Sequence, residues 1–173
     1  MPIAAIALGA NLPSPAGAPA ETLNAATGLL GSLGSVLARS SFYRTAPVGY
    51  LDQPEFVNAA VLLETALAPM PLLDRLLAIE RSFGRERGHG PVKGPRTLDL
   101  DLLLYRDPGG DDLLLQEPVL TLPHPAMHQR RFVLAPLAEI VPEWRHPLLG
   151  RTIQQLLDDL PKDDGQVLEM RSL

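Results

Sequence analysis

The sequence predicts an α+β fold of β-α-β-β-α-β order, extended at its C-terminal end by a hairpin and helices, on three observations. Apolar runs with strand-like composition stand at 3-IAAIAL-8, 35-SVLARSSFYRT-45, 57-VNAAVLLETAL-67 and 98-LDLDLLLY-105. Segments of helical period separate the first from the second and the third from the fourth. Pro/Gly-rich breaks punctuate them.

The first strand is stopped by Gly9, and 13-PSPAGAPA-20 is a loop because its prolines suit neither a helix interior nor a central strand. A helix follows over about 21–33. Residues 35–45 and 57–67 form two strands joined by a Pro/Gly loop, and 69–84 form an amphipathic helix with Pro71 in its first turn. The last strand of the core, 98–105, follows a Gly-rich loop. This is the ferredoxin-like plan. Beyond it lie a hairpin around 113–123, a short helix near 132–140 and a last helix at 151–160, all elaborations of the core sheet.

Length and composition narrow the function. At 173 residues and 46% hydrophobic, residues 1–173 are expected to form one domain. No apolar run approaches the roughly 18 residues of a membrane span, and the first residues lack a signal-peptide pattern, so a cytoplasmic protein is expected, without a membrane partner. The absence of cysteine excludes thiol nucleophiles and disulfides, and leaves oxygen or imidazole as metal ligands. A net charge of -5 disfavours nucleic acid as a partner, so any anion site has to be local.

Three segments carry chemistry. In 94-GPRTLDLDLLLY-105, Asp99 and Asp101 stand two apart on a strand, hence on one side and about 6.5–7 Å apart. Such a pair is often only the wet face of a half-buried strand. Here Leu102, Leu103 and Leu104 bury the strand directly afterwards, so the carboxylates sit where a core strand meets a cleft, a platform for a hard cation carrying phosphates. The segment 81-RSFGRERGHGPVKGPR-96 holds five basic residues and one acid among glycines, a composition suited to gripping polyphosphate or simply to a solvated loop. No P-loop or dinucleotide fingerprint is present. In 121-TLPHPAMHQRRFVLAPL-137, His124 and His128 are four apart, but Pro125 falls between them, so a shared metal is not expected. A rigid His124 near Arg130 or Arg131 suits hydrogen bonding to phosphate.

These residues carry a resemblance. The blocks 8-LGANL-12, 42-FYRTAPVG-49, 53-QPEFVNAAV-61, 94-GPRTLDLDLLLY-105 and 122-LPHPAMHQRRFVLAPLAEI-140 occur in the order found in the 6-hydroxymethyl-7,8-dihydropterin pyrophosphokinases of folate biosynthesis. The resemblance implies transfer of pyrophosphate from ATP to the hydroxymethyl group of the dihydropterin, with release of AMP. It implies Asp99 and Asp101 as ligands of two Mg²⁺ ions, and Arg85, Arg87, Arg96, His124 and Arg130 as the nucleotide site. Arg85 and Arg96 join the aspartates as catalytic groups. For the pterin it implies Phe56 and Phe132 as a stacking pair, with Asn58 and the backbone around Thr45, Ala46 and Val48 on the polar edge. Read without it, both phenylalanines are core residues. The expected partners are two small molecules and the expected state a monomer. Departures from the family pattern include Lys93, where an aromatic is usual, and Val119, where an arginine is usual; both bear on the nucleotide pocket. Two other classes share parts of this description. A palm-type two-metal nucleotidyl transferase also uses paired aspartates, and a ferredoxin-like nucleic-acid-binding module needs exposed aromatics and a basic sheet face.

Overall fold

A computed structural model describes residues 1–86, 88, 90–162 and 167–171. Strand β1 spans Ile3–Ala10, helix α1 Pro19–Leu30, β2 Ser35–Arg39, β3 Phe42–Thr45, β4 Phe56–Glu64, helix α2 Pro69–Ser82 and β5 Asp99–Arg106. The chain continues through the two-residue strands β6 (Leu115–Gln116) and β7 (Thr121–Leu122), a 3₁₀ turn at Met127–Gln129, helices α3 (Arg131–Ile140) and α4 (Ile153–Asp159), and β8 (Val167–Arg171).

The main sheet runs β5-β1-β4-β3-β8, with β2 also paired to β4, and each pairing is antiparallel. Counting β2 and β3 as one broken strand, this is the ferredoxin-like order. Alternation of side chains divides the apolar residues between two cores. Ala4, Ile6, Leu8, Val61, Leu100 and Leu102 face α1 and α2, meeting Leu23, Leu30, Leu72 and Leu76. Ala5, Ala60, Leu103 and Leu104 face α3 and α4, meeting Val133, Leu134, Leu137 and Ile153. No helix among the described residues is long and apolar enough to cross a membrane.

Four expectations need correction. Pro19 lies inside α1, at its start, where the missing N–H costs nothing because the first-turn amides have no intrahelical partner. Gly9 does not stop β1, which runs on to Ala10. The strand expected over 35–45 is two strands, because Ser40 and Ser41 turn out of the ladder. There the Ser40 hydroxyl accepts the Ala60 amide at 2.8 Å, and Glu139 of α3 accepts both the amide and the hydroxyl of Ser41. Strand β8 was not expected; it adds an outer edge beside β3.

Glu139 also accepts the Tyr43 hydroxyl at 2.7 Å, so one carboxylate ties α3 to the β2 and β3 break. Those hydrogen bonds outweigh partial burial and hold the Glu139 carboxyl below its ordinary 4.5, while burial first, and Glu139 second, push the Tyr43 hydroxyl up. A carboxyl lowered by folding stabilises above its unfolded value, and that contribution is lost as pH falls through the native one. Glu139→Gln should therefore cost about 1–2 kcal/mol at pH 7. In thermal melts across pH, the gap between variant and wild type should close below about pH 4.5.

Candidate active site

The site is assembled by strand register. Gly9 of β1 lies opposite Asn58 of β4 on one side and Asp99 of β5 on the other; one pleat along, Ala7 lies opposite Ala60 and Asp101. Three adjacent strands thus present Asn58, Gly9 and Asp99 in one row, and Ala60, Ala7 and Asp101 in the next. The small residues keep the floor low. A Cβ on Gly9 would come within 2.7 Å of Asn58 Oδ1, so the glycine is required by the approach of that amide.

A β-bulge keeps the carboxylates on the right face. Ala5 pairs with Leu104 but Ile6 with Leu102, which leaves Leu103 as an extra residue in β5. Leu103 and Leu104 can then both enter the core under α3 and α4, while Asp99 and Asp101, on the same face, emerge beyond the start of α3.

They emerge into a cleft lined also by Thr45, Ala46, Val48, Phe56, Asn58, Lys93, Arg96, Arg130 and Phe132. Asn58 is buried, and its Nδ2 donates to Thr45 Oγ1 at 2.6 Å, which leaves its carbonyl over Gly9. Each phenyl ring carries a guanidinium: Arg96 lies 5.5 Å from the Phe56 centroid and Arg130 5.7 Å from that of Phe132. The aromatic part of the cleft is therefore continuous with its cationic part.

Arg96 also donates to Asp99 Oδ2 at 3.0 Å and to the Gly94 carbonyl. Two carboxylates on one strand face repel each other, and at Asp99 an arginine three residues earlier relieves that repulsion. Buried Glu80 of α2 accepts the Leu100 amide at 2.7 Å, fixing β5 between the two aspartates. An adjoining cavity is lined by Arg85, Gly88, Lys93 and Arg96, where Arg85 is held by its amide on the Glu80 carbonyl at 3.1 Å. Arg87 lies outside the described residues. Val119, in the turn between β6 and β7, lines neither cavity and is 66% exposed.

His124 does not line the cleft directly, although it feels both Asp99 and Arg130. Its amide donates to the Leu103 carbonyl at 2.9 Å, and its Nδ1 accepts the Ala126 amide at 3.2 Å. A neutral ring so held carries its proton on Nε2, ready to donate. Burial first, then Arg130, holds its pKa below 6.5, with Asp99 opposing.

Among the described residues no group of three or more His, Asp or Glu is placed to enclose a metal. Two carboxylates fit Mg²⁺, which takes one or two from the protein and completes its shell with water and substrate phosphates. Sequence reasoning underrated Gly9 and missed Ala7; a glycine within a strand is the signal for a close backbone or side-chain approach.

A ferredoxin-like sheet with a carboxylate pair, arginines converging on it and an aromatic slot in one cleft has the make-up of a phosphoryl-type transferase for a flat heterocyclic substrate. The chain belongs to the 7,8-dihydro-6-hydroxymethylpterin-pyrophosphokinase (HPPK) family, whose sequence profile matches residues 5–142. It is 41% identical over 166 residues to the 2-amino-4-hydroxy-6-hydroxymethyldihydropteridine pyrophosphokinase of Synechocystis sp., covering 85% of this chain and 81% of that one. It is 40% identical over 126 residues to the folic acid synthesis protein fol1 of Schizosaccharomyces pombe, covering 73% of this chain and 16% of that protein. Among solved structures it shares its fold with a Plasmodium falciparum HPPK-DHPS, at TM-score 0.68 and 19% identity. That match covers 91% of this chain and 44% of the other, so the chain spans under half the length of that protein.

The electrostatics around His124 can be checked without ligand. By NMR, His124 should titrate below 6.5 as the Nε2–H tautomer. Arg130→Met should raise its pKa and Asp99→Asn lower it further; no response to either change would remove His124 from this cluster.

Proposed function

We propose that the protein transfers the pyrophosphoryl group of ATP to the hydroxymethyl group of 6-hydroxymethyl-7,8-dihydropterin, releasing AMP, as a step in folate biosynthesis. Family membership supports this. The observation that supports it most is that Phe56, Phe132, Asp99 and Asp101 line one cleft, so that a ring held between the two phenyl groups would have its exocyclic arm beside the aspartates.

The pterin ring stacks between the two phenyl faces, and its polar edge meets the Asn58 carbonyl and the backbone of Thr45, Ala46 and Val48. Asp99 and Asp101 would hold two Mg²⁺ ions, which when bound would supply charge neutralisation for the triphosphate and polarisation of its phosphorus. Arg85, Arg87 and Arg96 grip phosphate oxygens from one side, and Arg130 with the Nε2–H of His124 from the other. The hydroxymethyl oxygen bonds to the β-phosphorus as the bond from that phosphorus to the α,β-bridging oxygen breaks. AMP leaves with the bridging oxygen. Among the described cleft residues only the aspartates are anionic, so they are the side chains within reach of the hydroxyl proton. Most of the acceleration is then positioning and electrostatics. Arg96 has two tasks: it neutralises Asp99 before substrate arrives, and it would turn to the phosphates once they are bound.

The same reading makes the protein a cytoplasmic monomer with two small-molecule substrates. The carboxylates on the open sheet face and the net charge of -5 argue against nucleic acid.

AMP should form only when dihydropterin, ATP and Mg²⁺ are all present; ADP in its place would contradict pyrophosphoryl transfer. Asp101→Ala should lower kcat/KM by several orders of magnitude, equivalent to about 4 kcal/mol or more, without loss of fold. Phe132→Ala should weaken pterin binding by about 1–3 kcal/mol while nucleotide binding changes little. An equal loss of both ligands would indicate general collapse of the cleft.

A further inference from the structure

The two loops that bring residues to the cleft are joined by side chains to which neither half-site assigns a task. One loop, residues 46–55, follows β3 and leads to Phe56; the other, residues 83–98, leads from α2 to β5. Asn11, just past β1, is 3% exposed and lies between them. Its Oδ1 accepts the Arg96 amide at 2.9 Å, while its Nδ2 donates to Gln53 Oε1 at 2.9 Å and to the Pro54 carbonyl at 3.0 Å. The Asn11 and Leu12 amides both donate to the Arg96 carbonyl, at 3.1 and 3.2 Å. Arg96 is thus held at both ends of its backbone.

Gln53 spans the same gap from the other side. Besides accepting from Asn11, its Nε2 donates to Tyr50 of its own loop and, at 2.8 Å, to the Lys93 carbonyl of the opposite one. Lys93 has φ 58, in the left-handed region that side-chain-bearing residues seldom occupy. Its aliphatic stem lies on Gly49: a Cβ there would come within 2.7 Å of Lys93 Cδ. The uncommon backbone of Lys93 is therefore over-determined by two contacts, and both come from the pterin-side loop.

We propose that Gln53 is a positioning residue that couples the two halves of the site. It registers the loop carrying Ala46 and Val48 against the one carrying Lys93 and Arg96, so that filling one half favours binding in the other. The inference rests on the functional reading above, which puts pterin against the first loop and phosphate against the second. A ligand that orders either loop orders the other through the Lys93 carbonyl and the Asn11 amide group, and the second ligand then meets a surface already set. Coupling of this kind is reciprocal by linkage.

The test uses Gln53→Met, which keeps length and removes the one acceptor and both donors, while Asn11 retains Pro54 and Arg96. Calorimetry would measure dihydropterin binding with and without the magnesium complex of α,β-methylene-ATP. Wild type should bind dihydropterin about tenfold or more tighter with the nucleotide analogue, and in the variant that ratio should fall to about one to twofold, with affinity for the analogue alone within about threefold. Hydrogen exchange on the ligand-free proteins gives a second readout. The amides of Gln53, Gly94 and Arg96 should all exchange faster in the variant, because one latch serves both loops. A ratio that survives Gln53→Met, or exchange that rises in the 46–55 loop alone, overturns the proposal. Failure of wild type to bind dihydropterin even with the nucleotide analogue present would instead overturn the functional reading, and exchange in both loops would still decide whether Gln53 joins them.

Discussion

The pairing of β1 between β4 and β5 is the constraint on which the rest depends. Strand side chains alternate with period two, so a slip of one residue between β1 and β5 would turn Asp99 and Asp101 into the core under α1 and α2 and send Leu100 and Leu102 into the cleft. Two buried carboxylates would cost far more than the fold can supply. The register is therefore enforced by the hydrophobic residues, and the aspartates take the only face left. The bulge at Leu103 belongs to the same constraint, since it lets one strand serve a cleft at its start and two cores at its end.

Charge placement follows from that geometry. Asp99 has Arg96 beside it, and Arg96 in turn has Phe56 beneath it, so one guanidinium links the carboxylate end of the cleft to its aromatic end. Arg130 repeats the arrangement over Phe132. In a protein of net charge -5, Lys93, Arg96 and Arg130 gather at this one cleft, so its positive charge is local rather than general. The side chains of Asn11 and Glu80, which accept the Arg96 and Leu100 amides, keep these charges in place before any ligand arrives.

Much of this was legible in the sequence, for physical reasons. The alternating leucines and aspartates of β5, the apolar periods of α1 and α2 and the Pro/Gly breaks are local signals, and they predicted element order and the ferredoxin-like plan. What was not legible depends on contacts distant in sequence. The break at Ser40 and Ser41 is held by Glu139, nearly a hundred residues away, and β8 pairs with β3, far before it in the chain. Gly9 was misread as a stop because a glycine needed for a close approach and one that ends a strand look alike in one dimension. By pattern alone Phe56 and Phe132 pass for core residues, and only the family resemblance singled them out; both line the cleft.

The central claim is that the aspartates of β5 and the aromatic slot serve one reaction centre. Mn²⁺ in place of Mg²⁺, with α,β-methylene-ATP and dihydropterin bound, provides the most direct measurement, because paramagnetic relaxation reports distance from the metal. The account predicts strong broadening of the pterin methylene protons and of the amides of Gly9, Asp99 and Asp101, weaker broadening at Asn58, and loss of the pterin effect in Asp101→Ala. Broadening that leaves the pterin methylene and β5 untouched would contradict it, by placing metal and pterin in separate sites.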